Sequence, residues 1–249
     1  MLAIIIILHK KFLMHLIKLI LSLLYTLIFC TLSKGQNNEI QIVGAMKNVM
    51  WKNELQAIIS LDSVQHKSKY LYGMGPLEYL SGEITIFDGK AYKSTVLTDS
   101  TMIVEETFAV KAPFFGYGRV KKWKQIKLPS EINSMSSLEN YLEKNTKSSK
   151  RPFFFKLHGE ITYAKIHIMN LPKGTEVTSP DIAHNTQVDY HIENVDSDII
   201  GFFSTDHKTI FTHHDTYLHM HLITKDRQKM GHIDDLIINP KKVLLFVPK

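Results

Sequence analysis

Residues 217–233, Tyr-Leu-His-Met-His-Leu-Ile-Thr-Lys-Asp-Arg-Gln-Lys-Met-Gly-His-Ile, constrain this chain more than any other stretch. Apolar residues alternate with histidine over 218–222, which is the period of a β-strand. The polar run 225–230 reads as a turn, so the whole stretch predicts a β-hairpin. Residues i and i+2 of a strand point to one face, about 7 Å apart. His219 and His221 can therefore offer two imidazoles to one ion, and His232 comes opposite them on the returning strand. Three neutral imidazoles with a fourth position open is the arrangement of a catalytic zinc, which acts as a Lewis acid. Exposed strands also carry H-x-H by chance, so spacing alone leaves a plain hairpin open as well. His213 and His214 are candidate rim residues or alternative ligands. His158, His167, His184, His191 and His207 read as scattered surface or core histidines, and Asp226-Arg227 as turn chemistry.

The rest of the chain predicts an α+β, predominantly β fold. Helical spacing runs over residues 45–59, and residues 130–143 predict a second helix capped by Ser136 or Ser137. Asp88-Gly89 between β-branched and apolar flanks is a type I′ hairpin signal. It places Glu83, Thr85 and Phe87 on one strand face, and Ile84 and Ile86 on the other. Glu83, at the start of that strand, reads either as an exposed strand-end acid or as a site residue. Further strands are expected over 101–110 and 114–120. In the second half they are expected at 153–157, a turn at 158–160, then 161–169, 190–193, 199–203 and 242–247, with a loop at 174–184. The polar run 145–151 is the expected boundary between two β-rich subdomains, 36–148 and 149–249, the latter carrying the histidine hairpin.

The formal charge of +6 is no argument for nucleic acid. Residues 1–35 hold Lys10, Lys11, Lys18 and Lys34 and no acid, so the remainder has 26 basic against 24 acidic residues, a net of +2. The same segment predicts a signal peptide, with the chain starting at Met1 or Met14: basic residues precede an apolar run, and Ser33-Lys34-Gly35-Gln36 offers a cleavage site. The apolar run is shorter than the ~20 residues of a spanning helix. Export to the periplasm or exterior is expected, with an uncleaved anchor as the competing reading. Cleavage removes Cys30, the single cysteine, so any metal site must use histidine and carboxylate.

Several separated motifs, in order over roughly residues 45–240, resemble the α-acetolactate decarboxylase family. Gly73-Met74-Gly75-Pro76, Leu80-Ser81-Gly82-Glu83 and Asp88-Gly89-Lys90-Ala91-Tyr92 are similar to its G-x-G-T-F, L-D-G-E and D-G-x-x-Y segments. Ile200-Gly201-Phe202, Tyr217-Leu218-His219-Met220-His221, Asp226-Arg227 and Gly231-His232 are similar to its V-G-F, Y-H-L-H-F, D-R and G-G-H segments. The resemblance implies a two-domain β-rich fold that pairs as a homodimer. It also implies a Zn2+ held by His219, His221 and His232, and Glu83 as the acid in converting 2-acetolactate to acetoin and carbon dioxide. Two departures stand out. The family's carboxylate-gripping arginine falls on Met169, where His167 or Lys165 could substitute, and the C-terminal segment from Lys242 has no acid. They leave a second reading, a non-catalytic metal- or small-molecule-binding homologue.

Overall fold

The computed structural model describes residues 14–18, 40–64, 69–147 and 150–249. The expected signal peptide lies outside the described residues, except for 14–18, which are helical and exposed. Among the described residues no helix is long and apolar enough to cross a membrane. Residues 38–249 form one compact unit. Its strands are β1 (Gln41–Val43), β2 (Ile59–Ser60), β3 (Leu71–Pro76), β4 (Glu83–Phe87), β5 (Lys90–Val96), β6 (Met102–Glu106), β7 (Lys111–Ala112), β8 (Phe115–Arg119), β9 (Trp123–Lys127), β10 (Phe153–Ile168), β11 (Val188–Phe203), β12 (Leu218–Thr224) and β13 (Met230–Pro248). The α-helices are α1 (Met46–Lys52), α2 (Met135–Asn145) and α3 (Pro180–His184).

Two antiparallel sheets carry the fold. One runs β1-β8-β3-β4-β5-β6, the other β10-β11-β12-β13-β9. In the second, β13 also pairs with β10, so four strands close into a ring. The strand β9 and the helix α2, both before residue 148, pack with this second sheet and its core. The closed sheet buries a core of its own, including Leu157, Ile199, Met220 and Leu245 beneath α2. A further core, with Met74, Phe154, Phe202 and Phe211, fills the space between the two sheets. Phe154 and Phe202 meet edge to face across the β10–β11 pair at 6.0 Å, an arrangement that adds about 0.5–1.5 kcal/mol to simple burial.

Local chemistry explains most element ends. Asp88 and Gly89 take φ of 49° and 84°, the pair of a type I′ turn, and Phe87 faces Lys90 across it as expected. The first helix is shorter than the spacing predicts. Asn53 adopts a left-handed φ of 58° and ends α1 at Lys52, and Ile59–Ser60 is a strand instead. The cap of α2 is Ser134 rather than Ser136 or Ser137. Ser137 is the other half of a capping box, sitting three residues into the helix. The expected loop at 174–184 ends in a short helix, α3, started by Ser179 and Pro180.

The larger correction is in the second half. Residues 158–160 are not a turn. The strand continues from Phe153 to Ile168, pairing with β11 throughout. Gly159 has φ of 140°, and a Cβ there would lie 2.0 Å from the Lys242 carbonyl oxygen. The glycine marks a bulge against β13, where the register shifts between Gly159 and Ile161, not a reversal. Likewise 190–193 and 199–203 are parts of one strand, β11. Val243 and its neighbours belong to the long β13 that begins at Met230.

Candidate active site

The hairpin turn between β12 and β13 is fixed by its own polar residues. Thr224 donates its hydroxyl to Asp226 Oδ1 at 2.6 Å, and the Thr224 N–H donates to the Lys229 carbonyl at 2.9 Å. Arg227 donates to Asp198 Oδ2 on β11 at 2.7 Å, so the Asp226-Arg227 pair shapes the turn rather than the site. The resulting register sets His221 directly opposite His232, and His219 lies two residues earlier on the same face. One ring nitrogen from each of the three lies within 4.8 Å of the others, and all three residues are buried.

Two of the rings are oriented from behind. His219 Nδ1 donates to the Phe211 carbonyl at 2.7 Å, which leaves its Nε2 as an electron-pair donor. His221 Nδ1 lies 2.9 Å from the Thr85 hydroxyl of β4, and the Ile84 carbonyl also favours an N–H on this ring. The Nε2 atoms of His219 and His221 face each other at 3.3 Å. Burial pushes the basicity of His219 down to about 3. Burial, then neighbouring imidazoles, hold His221 and His232 well below the ordinary histidine range. Buried, neutral imidazoles, two of them held through Nδ1, suit a divalent metal ion, and the residues present therefore fit one.

Glu83 comes from the facing sheet. It is 3% exposed, and its Oε2 lies 3.7 Å from His221 Nε2. Its Oε1 accepts the Met169 N–H at 3.3 Å. Burial raises its pKa well above the carboxylate range, with that N–H opposing in part. The hairpin thus supplies the three imidazoles and β4 supplies the acid across the inter-sheet core.

A cavity opens at this junction, bounded by Glu83, Met169, His219 and His232 together with His167, His184 and His213. Of the last three, the sequence offers His213 as a rim residue or alternative ligand and His167 as a substitute for the family's arginine, whereas His184 reads as a scattered histidine. His167 stands opposite His232 in the β10–β13 register, with ring centroids 4.8 Å apart. Its partner is Asp234, at 2.8 Å. His184 closes α3, and His213 approaches His232 to 5.2 Å from the loop before β12. Burial lowers the basicity of both His184 and His213. His158 and His191 lie elsewhere, pairing with Asp198 and Tyr163, and His214 is exposed. His207 bonds Ser204 in the loop after β11. Lys165 bonds Asp189 at 2.8 Å and reaches no closer than 3.8 Å to Asp234, so of the two candidates for a cation near residue 169 only His167 bounds the cavity.

Residues 51–245 match the family model described as alpha-acetolactate decarboxylase. The alpha-acetolactate decarboxylase of Lactococcus lactis subsp. lactis is 28% identical over 170 residues, 67% of each chain. That of Methanosarcina mazei is 25% identical over 166 residues, 66% of this chain and 55% of its own. Among solved structures, the acetolactate decarboxylase of Bacillus subtilis subspecies spizizenii superposes with a TM-score of 0.66 at 19% identity, over 84% of this chain and 85% of that one. A Staphylococcus aureus protein described as of unknown function and similar to alpha-acetolactate decarboxylase gives 0.65 at 16% identity, over 84% of both. At these identities the superpositions speak to the fold.

Proposed function

Because the chain belongs to the alpha-acetolactate decarboxylase family, we propose that it is a zinc-dependent carboxy-lyase converting 2-acetolactate to acetoin and carbon dioxide. The observation that carries this reading is the position of Glu83. A buried carboxyl, held through one oxygen by the Met169 N–H, turns its other oxygen to the histidine triad at the cavity wall.

His219, His221 and His232 would hold the metal. A zinc ion there supplies a Lewis acid able to stabilise the negative charge that loss of carbon dioxide leaves on a ketone oxygen. The protein's own groups do the rest. The Phe211 carbonyl and the Thr85 hydroxyl keep two imidazoles aimed at one point, so that little reorganisation is needed during reaction. Glu83 holds a proton at Oε2 beside the cavity and delivers it to one face of the carbon that has lost its carboxylate. The balance is one substrate anion and one proton in, acetoin and carbon dioxide out, with the carboxyl reprotonated from solvent. Apolar neighbours, Met46, Met50 and Leu80, keep bulk water from the acid.

Incubating the zinc-loaded protein with 2-acetolactate and following acetoin tests the reading; no acetoin above the spontaneous rate would sink it. Met169 favours a second reading. A buried thioether stands where the family resemblance expects a cation for the substrate carboxylate, as in a homologue that binds metal without turning over. Export with cleavage after residue 35, and assembly as a homodimer, belong to the proposal too. N-terminal sequencing and light scattering of the secreted protein check them.

A further inference from the structure

Three thioethers bound the same cavity as the histidines. Met46 and Met50 stand one turn apart on α1, a spacing that puts both side chains on one face of the helix. Met169 directly follows β10. All three are buried, and all three line the cavity wall. Backbone contacts fix where they sit. The N–H groups of Met46 and Lys47 donate to the carbonyls of Ile210 and Thr209 at 2.8 Å, which ties α1 to the loop that carries Phe211 and His213. The Met169 N–H is held by Glu83 at 3.3 Å. The His213 side chain, on the same cavity, has no hydrogen-bond partner among the described residues, and its recorded neighbours are the rings of His232 at 5.2 Å and His184 at 6.2 Å. Methionine also serves as apolar filler. Leucine would fill this wall as well, but it would not supply three neutral, polarisable donors beside an uncommitted imidazole. Among the described residues no lysine or arginine lines the cavity, and the space between its side chains is about 30 Å³, room for a single ion.

We propose that Met46, Met50, Met169 and His213 form a second metal site beside the histidine triad, and that it takes a soft monovalent cation of the Cu(I) class. Thioether sulfur is a soft ligand that selects Cu(I), whereas a set of three imidazoles suits zinc. The cavity therefore has two kinds of donor, sulfur from α1 and residue 169 and nitrogen from the hairpin. Thioethers bring no charge to offset that of a buried ion. Desolvation costs more as charge grows, so a monovalent ion suits such a set better than a divalent one. This second site needs no decarboxylation and does not depend on 2-acetolactate being the substrate.

Zinc-loaded full-length protein is titrated with Cu(I) in oxygen-free, reducing buffer against a colorimetric Cu(I) chelator, and both metals are counted by elemental analysis. One Cu(I) per chain is expected to bind with zinc retained. The double variant Met46→Leu, Met50→Leu and the single variant Met169→Leu keep the apolar volume, a kind of exchange that cores tolerate well. Each is expected to weaken Cu(I) binding at least about tenfold, the least that loss of even an outer-shell partner costs a bound metal, with zinc unchanged. Met220→Leu, in the core beneath α2, should change neither metal. X-ray absorption at the copper edge should show sulfur neighbours in wild type and fewer in the variants. Should the double variant fail to fold, Met169→Leu and the absorption spectrum decide. Three results overturn the proposal: no Cu(I) bound alongside zinc, Cu(I) affinity undiminished in the Leu variants, or Cu(I) that displaces zinc one for one and is lost in His219→Ala instead. A protein that binds Cu(I) as expected but forms no acetoin loses the decarboxylase reading and keeps the second metal site.

Discussion

Gly116→Ala is expected to weaken metal binding from a position that never approaches the metal. Gly116 lies on β8, and a Cβ there would sit 2.4 Å from Cζ and 2.5 Å from Cε1 of Phe211. Ordinary contact begins near 3.4 Å, so the ring must withdraw by about 1 Å. It has nowhere to go. Phe211 is fully buried, with Phe202 at 4.8 Å and Phe114 at 6.2 Å. The displacement passes to the Phe211 backbone, whose carbonyl holds His219 Nδ1, and to the His219 ring itself, 4.7 Å away. Overpacking of this kind costs about 1–3 kcal/mol. In a chain of this size that is a fall in Tm of roughly 2–12 °C. Loss of the hydrogen bond behind a metal-bound imidazole weakens affinity about 10–100-fold. Gly201→Ala is the control. Its Cβ would meet Phe155 at 2.1 Å, a clash at least as severe, but in the core beneath α2 on the other face of β11. It should lower Tm and leave zinc affinity unchanged. Melting of chelated protein and zinc competition against a fluorescent chelator give both numbers. Wild-type zinc affinity in Gly116→Ala, or equal affinity loss in both variants, would refute the idea that Phe211 orients the site.

Single replacements of His219, His221 or His232 by Ala are expected to strip most bound zinc, measured by elemental analysis, whereas His158→Ala should not. Glu83→Gln still accepts the Met169 N–H but has no proton to deliver. It should retain zinc and lose acetoin formation about 10²–10⁴-fold, and undiminished turnover would remove Glu83 from the chemistry. Metal-free protein should be acid-labile. Below the ordinary histidine value of 6.5 the unfolded chain binds protons, while folded His219 resists them down to about 3, so stability falls as pH drops through that window. Each such imidazole contributes about 1.4 kcal/mol per pH unit. Glu83 acts oppositely, since its raised pKa lets the folded state keep a proton that the unfolded state loses above 4.5. Three histidines outweigh one acid, so denaturant unfolding of chelated protein should give lower stability at pH 5 than at pH 7, and equal values would contradict the burial argument.

What the sequence alone determined lies in short-range pattern. The Asp88-Gly89 turn, the strand faces around Glu83 and the hairpin that brings His221 opposite His232 all follow from a two-residue period and local turn chemistry. The predominantly β character follows in the same way, as do the ordered motifs of the family. What failed were boundaries that depend on a partner strand. Residues 153–168 are one strand because Gly159 lets the Lys242 carbonyl of β13 approach, and nothing in His158-Gly159-Glu160 distinguishes a bulge from a turn. Only the tertiary structure decided the composition of the site. Glu83 and the triad are more than 130 residues apart and meet across a packed inter-sheet core. His167, His184 and His213 come from a strand, a short helix and a loop. Their convergence on one cavity is set by the closing of β10 onto β13 and by a network of buried hydrogen bonds. Neither has a period that a sequence can display.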